Sequence, residues 1–370
     1  MSSSSKEAIA DRLAEARRRT LALIEPLDDA QLNRVYSPLL SPLAWDLGHI
    51  ANFEELWLVQ RVGGREPLRG DLGRFYDAIE NPRRTRGALP ILRDAELRAY
   101  LADVRERTLD VLDGLTDDVG PDAEDPLLRD GFVYEMLLAH ELQHDETMLQ
   151  LLQLVGDYEA PAGVGPARLP VPAEAEPVHV AAGAHEIGAA SCGFAYDNER
   201  GRHTVELGAF EIDRTPVANA AYAPFVEETG AAPPMYWRRD GEGWLREAMG
   251  RSEPLDPEQA VTHVSWHEAE AFARWAGKRL PTEREWEAVH DRLDGIGAAW
   301  EWTSSYFLPY PGFEAFPYPE YSKVFFGDDH MVLRGGSWAT HASVMRPSFR
   351  NWDLPQRRQI FSGIRCARDA

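Results

Sequence analysis

Two histidines four residues apart, in His140-Glu141-Leu142-Gln143-His144, are the sharpest chemical feature of the chain. On a helix such residues project from one face about a turn apart, so both imidazoles can reach one metal ion. The stripe they share (Val133, Leu137, Met148, Leu151, Val155) is otherwise apolar, which aims the pair at a core. Neutral imidazoles there need partners, either a metal or hydrogen bonds from side chains and water. His49, in Trp45-Asp46-Leu47-Gly48-His49, shares a stripe with Trp45, Phe53 and Leu56 and also points inward. A lone inward histidine is ordinarily a satisfied core residue. Facing a helix that already carries an inward pair, it becomes a candidate third ligand. Three histidines leave coordination positions open for substrate and for oxidant or water.

His-Glu-x-x-His is also the signature of zinc metalloproteases, where the glutamate is the general base. Here His144 is followed by Asp145-Glu146-Thr147-Met148, without the glycine and third histidine of the longer metzincin form. Glu141 faces away from both histidines, and Glu159 lies too near the helix end for a convincing ligand. These features argue against a protease.

Four helices must position the histidines. Apolar residues at spacings of three and four predict them over roughly 5–25, 41–62, 93–116 and 127–155. Ser41-Pro42 predicts the second start, with serine as N-cap and proline at the first position. A long second-to-third connection suggests an antiparallel bundle over residues 1–155. Residues 156–176 turn to Pro, Gly and Ala, a linker composition. Residues 177–370 show short β-like runs, many turn residues and most of the tryptophans. One clear helix (Trp266 to Gly277) and a shorter one near Thr282–His290 interrupt them, predicting an α+β domain.

Composition excludes several classes. With 39 Lys+Arg against 61 Asp+Glu, the formal net charge of −22 argues against nucleic acid as the main partner. The excess acid is shared equally between residues 1–150 and 151–370. Only Cys192 and Cys366 occur, too few for a disulfide scaffold or a Cys-rich metal site; both read as bland, Cys366 as core. The chain has no apolar run long enough to span a bilayer, and its Ser-rich start has no apolar signal segment. A soluble cytoplasmic enzyme, bound to neither membrane nor nucleic acid, is expected, with the oligomeric state open. Residues 331–370 hold seven arginines against Asp353 and Asp369. They are expected, with Arg83–Arg86, near a pocket for small carboxylate-bearing substrates.

Read together, Ser41-Pro42-Leu43-Ala44-Trp45-Asp46-Leu47-Gly48-His49-Ile50 and His140 to Met148 resemble the ergothioneine-biosynthesis sulfoxide synthases, or hercynine oxygenases. The second half agrees independently. Lys278 to Glu287, Trp300-Glu301-Trp302-Thr303 and Leu333 to Trp338 resemble the formylglycine-generating-enzyme fold, a C-type-lectin-like α+β domain. With Arg350 to Asp353 and Arg357 to Gly363, the ordered motifs cover nearly the whole chain. The fold implied is α plus α+β: a DinB-like four-helix bundle followed by a formylglycine-generating-enzyme-like domain.

The resemblance implies a non-haem Fe(II) site of His49, His140 and His144, with O2 as co-substrate. Zinc could fill the same ligands but has no redox chemistry, so the ligand set does not by itself name the metal. The implied reaction joins the thiol of γ-glutamylcysteine to the imidazole C2 of hercynine (trimethylhistidine) and oxidises the sulfur to the sulfoxide. Tyr310 to Tyr321 resembles the family's active-site loop. Tyr318 then matches the catalytic tyrosine, a proton donor, and Tyr321 a second one touching the acceptor imidazole. Gln143, Asn351 and Trp352 match acceptor-binding positions, the indole suiting a quaternary ammonium. Arg83 and Arg86 match arginines on the donor's glutamyl carboxylate, and Asp353 a further donor-binding position. The site is implied where the two domains meet.

One departure stands out. Only twelve residues separate Glu287 from Trp300, where the family usually has a longer, loop-rich insertion. Three other functions remain open on these residues. The scaffold could take cysteine or a selenosugar as donor; a zinc-dependent DinB-type thiol transferase would use the histidines without Tyr318; a lectin-like binding module would need no catalysis.

Overall fold

Periodicity sets the first half of the computed structural model, which describes residues 3–115, 119–120, 123–162, 164, 170–171 and 175–370. The helices of this half are α1 (Ser3–Ile24), α2 (Asp29–Asn33), α3 (Leu43–Glu54), α4 (Gly73–Tyr76), α5 (Asp94–Gly114) and α6 (Phe132–Leu152). In α5, Leu97, Tyr100, Leu101, Val104, Thr108, Val111 and Leu112 form one buried stripe at spacings of three and four. Every residue of α3 except Asn52 is buried, as expected of a helix packed on several sides. It packs against α5 and α6, while α1 packs against α6 and α5. Beyond Glu54 the helix continues without a break as a π-helical segment, Glu55–Val62.

Two boundaries differ from expectation. Ser41 does not cap α3: Pro42 occupies the N-cap without a side-chain bond, and the Ser41 hydroxyl instead accepts from Arg86 at 2.7 Å. Helix α6 begins at Phe132, not near 127, because Asp130 (φ 53°) and Gly131 (φ 71°) are left-handed and cannot continue a right-handed helix. Much of the linker predicted over 156–176 (163, 165–169 and 172–174) lies outside the described residues, as do 116–118.

Contacts divide the chain into Met1–Pro161 with Cys192–Phe194, and Ala162–Ser191 with Ala195–Ala370. The second unit holds β1 (Val178–Val180), β2 (Gly183–Ile187), β3 (His203–Leu207), β4 (Phe210–Ile212), α7 (Asn219–Thr229), β5 (Trp237–Asp240), β6 (Gly243–Ala248) and β7 (Arg251–Pro254). It continues with α8 (Trp266–Trp275), α9 (Glu283–Ala288), β8 (Trp300–Tyr306), β9 (Met331–Arg334), β10 (Asn351–Asp353), β11 (Ser362–Gly363) and β12 (Ala367–Asp369). Its sheets run β1-β4-β12, β10-β9-β8-β11, β2-β3 and β5-β6-β7, antiparallel except for β11 on β8. Both sequence-predicted helices are present, with capping boxes at Ser265 and Thr282. Helix α7 escaped the sequence reading because Pro224 sits inside it, and proline ordinarily signals a break.

The seven arginines of 331–370, expected near a substrate pocket, are all engaged in ion pairs. Each pairs with an acid of its own unit: Arg334 with Glu287, Arg346 with Glu199, Arg350 with Glu283, Arg357 with Asp353, Arg358 with Glu268, Arg365 with Glu301 and Arg368 with Glu211. Arg334, Arg350 and Arg365 are almost fully buried. Such charges belong in a core only when hydrogen-bonded to opposite charges, and in the Arg334 and Arg350 pairs both partners come from the motifs themselves. Trp286 Nε1 also donates to Glu301 at 2.6 Å, tying α9 to β8. Cys366 is buried, its thiol pushed up to about 12 by burial, whereas Cys192 is exposed. Among the described residues, no helix is long and apolar enough to cross a membrane.

Candidate metal centre and substrate residues

Helices α3 and α6 bring His49, His140 and His144 together, with one ring nitrogen of each within 4.8 Å of the others. Neighbouring groups choose which nitrogen is left over. His49 Nδ1 donates to the main-chain carbonyl of Tyr76 at 2.6 Å, which leaves a lone pair on Nε2, 3.1 Å from His140 Nε2. His144 Nδ1 lies 3.1 Å from Asp46 Oδ1 and donates to it, again leaving Nε2. Such outer contacts orient imidazole ligands and raise their basicity.

Aromatic rings fix the ring planes. Trp45 stacks on His49 with centroids 4.7 Å apart, and Phe53 on His140 at 3.8 Å. Burial, reinforced by the neighbouring His144, holds His49 and His140 well below the ordinary imidazole pKa. Both are therefore neutral near pH 7 with lone pairs to offer. Three convergent imidazoles, two with their far nitrogens committed, fit a divalent transition ion.

Tyr76 reaches His49 because Gly48 has no side chain. A Cβ on Gly48 would lie 2.2 Å from the Tyr76 ring. The Tyr76 hydroxyl accepts from the Leu92 amide at 3.1 Å, which seats the ring between α3 and the start of α5.

Glu141 is buried on the other side of α6, where it accepts from Arg17 Nε (2.7 Å) and Thr20 (2.8 Å). Arg17 and Arg105 also grip Glu54 of α3. Glu141 is thus a structural anion and not a base aimed at a metal.

In the second unit, Tyr318, Tyr321 and Trp352 belong to one aromatic cluster. Tyr321 stands edge-on to Tyr318 (6.3 Å) and to Trp352 (5.6 Å), and stacks on Tyr196 at 3.9 Å. Phe307 stacks on Trp352 at 4.1 Å, and Phe325 lies 5.6 Å from it. Burial, then the charges of Tyr196, Asp197 and Glu320, push the Tyr318 phenol well above its ordinary pKa, so it keeps its proton at neutral pH.

Residues 12–148 match the DinB superfamily, and residues 166–292 and 289–370 the sulfatase-modifying factor enzyme 1-like domain. The hercynine oxygenase of Mycolicibacterium smegmatis is 39% identical over 442 aligned positions, covering 98% of this chain and 99% of that protein. The chain belongs to the hercynine oxygenase family. The Mycobacterium tuberculosis hercynine oxygenase is 38% identical, covering 99% of each chain. Ergothioneine biosynthesis protein 1 of Schizosaccharomyces pombe is 28% identical over 48% of this chain and 28% of its own length. Membership makes the chain an enzyme, an oxygenase. The 442 positions against 370 residues mean that the M. smegmatis relative carries residues this chain lacks.

The remaining expected residues of this hercynine oxygenase family member lie on three elements. Gln143 is half-buried on α6, directly before His144. Arg83 and Arg86 lie on a 3-10 turn, Arg83–Ala88. Arg86 is buried, donating to Asn81 O (2.8 Å), Ser41 Oγ (2.7 Å) and Ala78 O (3.1 Å), with its guanidinium 3.6 Å over Trp45. Burial pushes its pKa down to about 10. Asn351, Trp352 and Asp353 form β10, so Asn351 and Asp353 share the face opposite Trp352. Asp353 accepts from Arg357 Nε at 3.1 Å and from the Leu354 amide at 2.7 Å.

Three contributors escaped the sequence reading. Asp46 lies inside the quoted motif, three residues before His49, and only its acidic type one turn from a ligand hinted at a role. Tyr76 acts through its main chain, which no residue type reveals. Tyr196 had no signal.

Proposed function

We propose that this chain catalyses O2-dependent oxidative C–S bond formation between hercynine and γ-glutamylcysteine, giving the sulfoxide, with non-haem Fe(II) held by His49, His140 and His144. The observation that carries the reading is the three-histidine cluster, its ring nitrogens within 4.8 Å, in a chain alignable with a hercynine oxygenase over 98% of its length. Fe(II), when bound, would supply the open coordination positions and one-electron chemistry that O2 and a thiol need.

The chain's own residues prepare the reactants. Tyr318 holds a phenolic proton in a buried setting and is the proposed proton donor. Tyr321 and Trp352 offer aromatic surface to the acceptor's imidazole and trimethylammonium groups. Gln143 and Asn351 add polar contacts to the acceptor. Arg83 and Arg86 take the glutamyl carboxylate of the donor; Arg86 does so from a guanidinium already fixed by three oxygens, so little ordering remains on binding. Asp353 takes the donor's ammonium.

The test is anaerobic Fe(II) reconstitution followed by O2 uptake with hercynine and, in turn, γ-glutamylcysteine, cysteine and a selenosugar. Uptake with sulfoxide formation that is strongest with γ-glutamylcysteine supports the proposal. A preference for cysteine or the selenosugar reassigns the donor. Zinc-supported thiol transfer without O2 uptake overturns the reading. Tyr318→Phe should divert O2 toward plain thiol oxidation, and unchanged sulfoxide yield removes Tyr318 from its role.

A further inference from the structure

The loop carrying Tyr318 and Tyr321 has no regular strand or α-helix between β8 and β9. Such a segment holds a side chain to the fraction of an ångström that proton transfer needs only if something outside it fixes its ends. One buried carboxylate does so. Asp197 accepts the Phe316 amide through Oδ2 at 3.3 Å, and the Ser322 hydroxyl donates to its Oδ1. These two contacts bracket Tyr318 and Tyr321 from both sides. Asp197 is 3% exposed and Ser322 fully buried.

Its neighbours complete the grip. Asn198 Nδ2 donates to Ser322 Oγ at 3.0 Å, and the Tyr196 ring stacks on Tyr321. The turn bearing these three residues is itself anchored. Glu199 accepts the Tyr196 amide (2.9 Å), Arg346 (2.6 Å) and Ser348 (2.7 Å). The Asn198 carbonyl accepts from Arg350 at 2.9 Å, and Arg350 is paired in turn with Glu283 of α9. Rigidity thus runs from the buried ion pairs of the core through a short turn to the tyrosine loop. An aspartate suits the central place because both loop groups are donors and a carboxylate only accepts.

We propose that Asp197 is a positioning residue of the reaction: through Phe316 and Ser322 it sets where the Tyr318 phenol stands, and Asn198 and Tyr196 assist. This rests on the assignment of Tyr318 as proton donor. A mere fold-stabilising role would lower the amount of folded enzyme without changing what each folded molecule makes.

The experiment compares Asp197→Ala, Asp197→Asn and Ser322→Ala with Tyr318→Phe in the full-length Fe(II)-loaded enzyme. It reads sulfoxide formed per O2 consumed with hercynine and γ-glutamylcysteine, the KM of each, and iron content. Asp197→Ala should lower the sulfoxide fraction at least fivefold and Ser322→Ala about twofold to threefold, with iron content and donor KM unchanged. Asp197→Asn keeps an acceptor oxygen and should recover part of the loss. In a Tyr318→Phe background, Asp197→Ala should add nothing, because it acts through that phenol. Wild-type partitioning in Asp197→Ala, or a further fall in the double variant, overturns the proposal. Should Asp197→Ala not fold, Ser322→Ala carries the same decision. If Tyr318→Phe itself partitions as wild type, the donor assignment fails separately. Hydrogen exchange of residues 313–325 in Ser322→Ala then decides the clamp alone: faster exchange upholds it, and unchanged exchange overturns it.

Discussion

The Nδ1 of His144 and the Oδ1 of Asp46 stand 3.1 Å apart, joining α6 to α3 at the three-histidine cluster. The contact fixes the tautomer of His144 and aims Nε2 at the other two imidazoles. Asp46 is 1% exposed, so its charge acts with little screening from water. Removing such an outer contact to a ligand costs roughly 10–100-fold in metal affinity. Asp46→Ala should weaken Fe(II) binding by about that factor in a competitive chelator titration, and Asp46→Asn, which keeps an acceptor, by less. Wild-type affinity in Asp46→Ala would remove Asp46 from the centre.

Gly48 makes the corresponding contact for His49 possible. Any side chain there meets the Tyr76 ring, and a Cβ 2.2 Å from its atoms forces the ring to move. The ring is seated by its bond to the Leu92 amide, so displacing it strains the main chain whose carbonyl accepts from His49 Nδ1. Gly48→Ala should therefore lower metal affinity even though alanine favours helix over glycine. Tyr76→Phe keeps the carbonyl and should bind metal normally, losing only the bond to Leu92. Equal affinity in Gly48→Ala and wild type would show that the Tyr76 contact is dispensable.

On the opposite face of the same helices, Arg17 holds both Glu141 and Glu54 inside the bundle. Removing one partner of a buried charge cluster costs about 3–5 kcal/mol, and without Arg17 the two carboxylates would share Arg105 as their remaining cation. Arg17→Met should destabilise by that order in chemical denaturation. Glu141→Gln should lower stability while keeping sulfoxide-forming activity in the folded fraction. A stable but inactive Glu141→Gln would restore Glu141 as a catalytic base.

The spacing of His140 and His144 already carried the centre, because a helix turns i and i+4 into neighbours whatever surrounds them. The four long helices were legible for the same reason: in α5 the buried side is a simple stripe. Where the deciding partner was remote, the sequence was silent. Seven arginines close together near the end of the chain read as a basic patch, yet Arg346 is neutralised by Glu199 and Arg365 by Glu301, far away in sequence. Local charge counting cannot see such pairs. Nor could it see the carbonyl of Tyr76, since every residue has one, or Asp197, whose importance lies in the loop it touches.

His263 gives the second unit a defined response to acid. The ring is buried edge-on against Tyr236 (4.6 Å) and Phe361 (5.2 Å), its Nδ1 donating to Arg358 O at 3.3 Å. Burial first, then the charge of Arg246, lowers its pKa from 6.5 to about 3. The folded state thus keeps it neutral while the unfolded chain binds a proton below about pH 6.5. Its contribution is fully present above pH 6.5 and is lost as pH falls from there toward 3. At one unit per 1.36 kcal/mol, about 2 kcal/mol should be gone by about pH 5. His263→Asn tolerates the left-handed backbone (φ 65°) and does not titrate there. Urea unfolding of this unit at about pH 7.5 and pH 5 should therefore show a smaller acid loss in His263→Asn than in wild type, by about 2 kcal/mol. The same loss in both proteins would mean that His263 is protonated without cost in the fold, which its burial and the nearby charge of Arg246 oppose.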